Sequence, residues 1–146
     1  MTIVKMSSEH VPQVVELEKL CFADPWDEKS IAYELTNPLS YWLVALEGET
    51  VAGYVGSQTV IDETDMMNIA VHSDYRRKGI AESLINALVS DLVQKGSRCL
   101  TLDVRASNEA AKALYQKLGF QHVGTRKNYY RHPKEDGLIL RKEWEV

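Results

Sequence analysis

Residues 66 to 96 constrain the fold more than any other stretch. "MMNIAV" at 66–71 reads as an apolar strand, and Arg76, Arg77, Lys78 and Gly79 form a basic loop closed by a glycine. Ile80, Leu84, Leu88 and Leu92 then recur every four residues, with Ala81, Ile85 and Val89 beside them. That period predicts a helix of four or more turns. Lys95-Gly96 ends it with a cation and the usual C-terminal glycine. The three cations stand at the helix end where the dipole disfavours positive charge, so an anion belongs in front of them. Free N–H groups at a helix start make such a site, with Gly79 allowing close backbone approach and Ala81 keeping the first turn uncrowded. The loop lacks the Lys-Ser/Thr pair of a Walker loop and the spaced glycines of a dinucleotide fingerprint. On these residues alone, an anion site and a solvated basic turn both stay open.

The remaining chain supplies the layers around this unit. Thr2 to Lys5 alternates like a strand, and Ser7 or Ser8 caps a helix carrying Val11, Val14, Val15, Leu17 and Leu20. Phe22 to Trp26 breaks it, and Asp27 caps a shorter helix with Ile31 and Leu35 that Pro38 ends. Tyr41–Leu46 and Val51–Val60 form a hairpin around Glu47-Gly48-Glu49, and the acidic tract Asp62-Glu63-Thr64-Asp65 reads as a turn. Cys99–Val104 sends Leu100, Leu102 and Val104 to one face, Thr101 and Asp103 to the other. Asn108 caps a helix with Ala111, Leu114 and Leu118, ended by Gly119. Phe120–Arg126 and Leu138–Lys142 are closing strands joined by a polar, proline-containing segment. The order β-α-α-β-β-β-α-β-α-β-β predicts an α/β chain with a mixed sheet and helices on both faces.

At 146 residues the chain is expected to be one domain, residues 1–146, burying about 68–70% of its unfolded surface. A net charge of −4 argues against bulk nucleic-acid binding and makes the basic loop a local feature. No apolar run approaches a membrane span, and the first residues lack a signal-peptide core. Cys21 and Cys99 have neither CxxC spacing nor a nearby histidine pattern, so reduced core thiols, no metal and a cytoplasmic setting are expected.

"RRKGIA" at 76–81 resembles the Arg/Gln-x-x-Gly-x-Gly/Ala motif of the GCN5-related N-acetyltransferases. "NIAV" (68–71), "LDVRASNEAAKALYQKLGF" (102–120), "NYY" (128–130) and "DPWDEKS" (24–30) narrow the resemblance to the RimI-type ribosomal-protein-alanine N-acetyltransferases. It covers essentially the whole chain and implies a largely antiparallel sheet and acetyl-CoA as acetyl donor. It also implies that Arg76, Arg77, Lys78, Gly79, Ile80 and Ala81 grip the coenzyme A pyrophosphate. The strand at 66–71 would splay from that at 99–104, with Ile69, Ala70 and Val71 pairing with the pantetheine arm. Asn108 matches a cofactor-contacting position, though a helix cap explains it equally.

Acyl transfer to an amine needs a neutral nucleophile and a proton for the departing thiolate. Tyr115 matches the family's general acid, with a core aromatic as the bland alternative. Asp103 departs from the pattern, because these enzymes usually carry Glu there. The shorter carboxylate would reach the amine through water, with Asp62, Glu63 and Asp65 as the reserve base. An α-amine of pKa about 7.7–8.0 is roughly a tenth to a sixth neutral at pH 7, against some four in ten thousand for lysine. A weak base therefore suffices for a protein N-terminus. The resemblance implies the N-terminal alanine of a small-subunit ribosomal protein as acceptor, with Trp26, Tyr129 and Tyr130 walling the peptide slot. Another peptide or small amine, or a non-catalytic acyl-CoA-binding module, stays open, as do a monomer and a weak dimer.

Overall fold

The computed structural model describes residues 1–144. The predicted elements form in the predicted order: β1 (Thr2–Lys5), α1 (Val11–Cys21), α2 (Glu28–Glu34), β2 (Ser40–Glu47), β3 (Thr50–Val60) and β4 (Glu63–Val71). They continue with α3 (Ile80–Gln94), β5 (Cys99–Arg105), α4 (Glu109–Lys117), β6 (Gln121–Arg131) and β7 (Lys134–Glu143). Short 3-10 turns at Ser8–His10 and Ser73–Tyr75 precede α1 and the basic loop.

The strands form one sheet in the order β1-β2-β3-β4-β5-β7-β6. All neighbours run antiparallel except β4 and β5, whose parallel pairing needs α3 as its crossover. That pairing is short: Glu63, Thr64 and Asp65 face Cys99, Leu100 and Thr101, and the strands then part. The cause lies in β4. Gly56 faces Asn68 while Ser57 faces Met66, so Met67 is an extra residue bulged into β4 just past the last parallel pair. A bulge bends its strand and raises the local twist. The β5-facing edge of Met66–Val71 is thereby left without a strand partner among the described residues.

Side-chain alternation builds a core on each face. Along β2, Leu43 and Ala45 join Leu84, Leu88 and Leu100 under α3, while Trp42 and Val44 join Val14, Ile31 and Tyr54 under α1 and α2. Trp42 stacks on Tyr54 at 5.8 Å between ring centroids. A Cβ on Gly56 would stand 2.3 Å from the Trp42 ring, so only glycine fits there. On this second face α1 and α2 cover β2, β3 and β4. Beyond them Thr101, Asp103 and Arg105 of β5 stay half-buried, opposite the buried Leu100, Leu102 and Val104.

Three expectations are corrected. Leu20 is 69% exposed, and the helical stripe Val11, Val14, Val15 continues through Glu18, which is fully buried. The tract read as a turn from Asp62 to Asp65 contributes Glu63–Asp65 to β4, where it supplies the whole parallel pairing. The polar segment 128–137 is mostly strand: β6 and β7 run on to Arg131 and Lys134. Asn128 has φ 51°, the register shifts between Arg126 and Tyr130, and Asp136 accepts the Asn128 N–H at 2.8 Å. A pinned bulge of polar residues carries no period-2 pattern for sequence reading to find.

Candidate active site

The basic loop is shaped for an anion. Arg77 and Gly79 have φ of 64° and 74°, both left-handed, with Lys78 between them. Such a conformation turns successive N–H groups toward one concavity. For Arg77, which has a Cβ, it costs about 1–2 kcal/mol. The leading N–H groups of α3 open onto the same place, since helix starts leave them without intrahelical acceptors. Glu82 in the first turn would oppose an anion, but the Lys117 ammonium holds its carboxylate at 3.0 Å. A cleft of about 210 Å³ lies here, lined by Val71, Tyr75, Arg76, Gly79, Ile80 and Leu114 among others. Val71 links it to the unpaired edge of β4, and Leu114 links it to α4. A diphosphate on the loop and an amide-bearing arm along β4 fit these groups.

Tyr115 follows Leu114 on α4 and is 5% exposed, its ring edge-on to Phe120 at 5.5 Å. The ring is core. The hydroxyl is different. Among the described residues the one buried side-chain polar atom lacking a partner is the Trp42 indole N–H. The Tyr115 oxygen, which no group of the described residues holds, therefore reaches space beside them. Burial, then the charge of Tyr130, pushes this phenol up to about 12. It keeps its proton across the neutral range. Compared with an ordinary phenol it gives that proton up about 3 kcal/mol less readily.

On the other face, β4, β5, β7 and β6 bring ionisable groups together. Arg126 Nε donates to Asp103 Oδ1 at 3.1 Å, with the Asp103 side chain 28% exposed. Asp65, opposite Thr101, shares that face. Its carboxyl is raised above the usual range by burial, then by the charges of Asp103 and Glu63, against the opposing pull of Arg126 and Arg141. The reserve tract therefore divides. Asp62 is paired with Arg98 at 2.9 Å and Glu63 with Arg141 at 3.0 Å, which leaves Asp65 beside Asp103. Tyr130 belongs to the same group, pushed up to about 12 by burial first and Asp103 second. The Arg105 guanidinium lies 4.3 Å from its ring centroid.

Two walls rise beside this floor. The segment between α1 and α2 carries Trp26, half-buried against Trp42 at 5.6 Å. The β6–β7 hairpin carries Tyr129 and Tyr130, in edge contact at 5.0 Å. Asp24 Oδ2 and His132 Nε2 approach to 4.0 Å between the walls. Asn108 sits apart at the start of α4, its side-chain oxygen accepting the Ala111 N–H at 3.1 Å, so it is a cap in fact. Sequence reading missed Glu18 and Asn68, whose side chains meet beneath the Trp26 wall. The available signal was the helical spacing 11, 14, 15, 18, which sets an acid in a buried stripe.

Residues 11–120 match the model of the acetyltransferase (GNAT) family. The chain is 37% identical over 141 residues to the [ribosomal protein bS18]-alanine N-acetyltransferase of Escherichia coli K12, covering 95% of each protein. It is 33% identical over 148 residues to the N-alpha-acetyltransferase RimI of Mycobacterium tuberculosis H37Rv, covering 97% of this chain and 92% of that one. The crystal structure of the ribosomal-protein-S18-alanine N-acetyltransferase from Escherichia coli superimposes with a TM-score of 0.92 at 33% identity, over 99% of this chain and 94% of that one.

Proposed function

This chain belongs to the GNAT family of acetyltransferases, and from that premise we propose that it acetylates the N-terminal alanine of ribosomal protein bS18. The observation that carries the proposal is likeness along the full length to an enzyme named for that reaction, at 37% identity and 95% coverage of both chains. Acetyl-CoA is the family's acetyl donor, and when bound it supplies an acyl group already activated as a thioester.

The protein's own groups have distinct tasks in this reading. Arg76, Arg77, Lys78 and the N–H groups from Gly79 to Ala81 hold the pyrophosphate, as charge and free donors at a helix start favour. The unpaired edge of Ile69, Ala70 and Val71 binds the pantetheine amides, and one N–H of that edge polarises the carbonyl. Asn108 keeps its amide nitrogen available to the cofactor while its oxygen caps α4. Trp26, Tyr129 and Tyr130 wall the acceptor slot. Asp103 takes a proton from the α-amine through water, and the Tyr115 hydroxyl donates to the sulfur that leaves. Arg126 holds Asp103 in place by an ion pair at 3.1 Å, beside Asp65, whose own carboxyl is raised by burial and by the Asp103 charge.

Asp103→Asn is expected to lower the rate at neutral pH about tenfold or more, short of the roughly 10²–10⁴-fold usual for a general base because an α-amine is already partly neutral. The neighbouring carboxyl cannot replace it, because losing the Asp103 charge lowers the pKa of Asp65 and makes it a poorer base. Raising the pH through about 8, where an α-amine deprotonates unaided, should restore most of the rate. Asp103→Glu should retain activity. Superimposable pH–rate profiles for wild type and Asp103→Asn would remove Asp103 from the mechanism.

The function is tested with the purified protein, acetyl-CoA and a peptide copying the bS18 N-terminus. One acetyl group on the α-amine and none on lysine side chains is the expected result. A peptide left unmodified by a protein that binds acetyl-CoA would support a non-catalytic binding module instead.

A further inference from the structure

Glu18 is a carboxylate in the buried face of α1 that is otherwise apolar, and its side chain is fully buried. An apolar residue there would avoid a large desolvation cost. Its oxygens gather donors from three places. The Trp26 backbone N–H donates to Oε1 at 2.9 Å. The Asn68 amide donates to Oε1 and Oε2 at 3.0 and 2.9 Å. The Tyr54 hydroxyl donates to Oε2 from β3. Two of these donors belong to the slot described above. Trp26 is one wall, and Asn68 stands beside the Met67 bulge and directly before Ile69. Among the described residues, Glu18 is the one protein acceptor for the backbone N–H groups of Ala23–Trp26.

We propose that Glu18 is a positioning residue for acetyl transfer: its buried carboxylate ties the Trp26 wall to the bulged strand β4 and so sets the width of the acceptor slot. The inference rests on the slot reading of the preceding section. Glu18 touches neither substrate, so its loss acts through the loop it anchors. Three donors converging on one side chain hold the wall against thermal opening, and an acceptor peptide then meets a slot already formed. Ordering a loop at the moment of binding weakens affinity, which is what removing the anchor would impose.

The test measures steady-state kinetics with an alanine-initial peptide, acetyl-CoA affinity by calorimetry, and amide hydrogen exchange at Trp26. In Glu18→Ala the peptide KM should rise about tenfold or more, with kcat within about threefold and acetyl-CoA affinity unchanged, the pattern of lost uniform binding. Exchange at the Trp26 amide should accelerate at least about tenfold, since its protection requires the anchor. Glu18→Gln keeps an oxygen for Trp26 and an amide that Asn68 and Tyr54 can turn to meet, so KM should return to within about threefold of wild type. If alanine prevents folding, the pair Glu18→Leu with Tyr54→Phe fills the same space with apolar groups and still frees Trp26. Unchanged KM or unchanged Trp26 exchange in folded Glu18→Ala, or in the folded Glu18→Leu/Tyr54→Phe pair, would overturn the proposal. So would equal losses in KM, kcat and acetyl-CoA affinity. A wild-type protein that binds acetyl-CoA but leaves the peptide untouched contradicts the acceptor reading instead, while Trp26 exchange still reports on the anchor.

Discussion

Replacing Arg76 and Arg77 together by alanine is expected to weaken acetyl-CoA binding on the order of 10²- to 10⁴-fold, because each charge-assisted hydrogen bond contributes about 1.5–3 kcal/mol. The fold should survive. Arg76 is exposed, and among the described residues its side chain is held only by Nε and Nη2 contacts of 3.4 and 4.0 Å to Val71 O and Cys21 Sγ. Arg77 sits at φ 64°, so Arg77→Gly makes a useful companion. It removes the same guanidinium while relaxing the backbone, and should lose affinity while gaining stability. Calorimetric titration with acetyl-CoA at two salt concentrations reads the effect. Unchanged affinity in the folded double variant would remove the pyrophosphate from this loop.

Tyr115→Phe is expected to lower kcat on the order of 10²-fold or more, the scale of general-acid loss. The ring stays in its core contact with Phe120, and the hydroxyl it gives up strands no partner among the described residues. Neutral-pH stability should therefore barely move. Alkaline stability should improve, and the sign follows from the direction of the shift. The folded phenol titrates at about 12 and the unfolded one near 10, so the neutral phenol's contribution is complete below pH 10. It is lost as the pH rises toward 12, by about 3 kcal/mol. A phenylalanine has no such loss, so the variant should melt above wild type at pH 11. Wild-type kcat in Tyr115→Phe would return the residue to the core alone.

Local signals in the sequence carried most of the fold. The period of Ile80, Leu84, Leu88 and Leu92 gave α3, and Asp27 and Asn108 cap α2 and α4 as their positions implied, accepting at 2.8 and 3.1 Å. What stayed hidden depends on distant partners. Glu63–Asp65 reads as a solvated turn until β5 lies beside it. The splay of β4 comes from one extra residue, Met67, whose apolar character says nothing of register. Glu18 looks like any surface acid of an amphipathic helix until Tyr54, Asn68 and Trp26 close over it.

The candidate site divides the same way. The basic loop and its glycine were legible because helix electrostatics makes cations before α3 anomalous. The left-handed turn at Arg77 was not, because a non-glycine residue gives no warning of positive φ. Asp103 was identified as a candidate base, but its tie to Arg126 crosses from β5 to β6 and no local pattern encodes it. The same holds for Asp65, whose raised pKa depends on two neighbours and burial that only the folded sheet provides.

Acetylation of the bS18 N-terminus is read most directly from the intact mass of bS18 from ribosomes of cells with and without this gene. With the gene present, bS18 should carry one α-acetyl group. Without it the acetyl group should be absent, returning on expression of wild type but not of Tyr115→Phe. A bS18 that remains acetylated when the gene is deleted, or is unacetylated in both strains, would contradict the account.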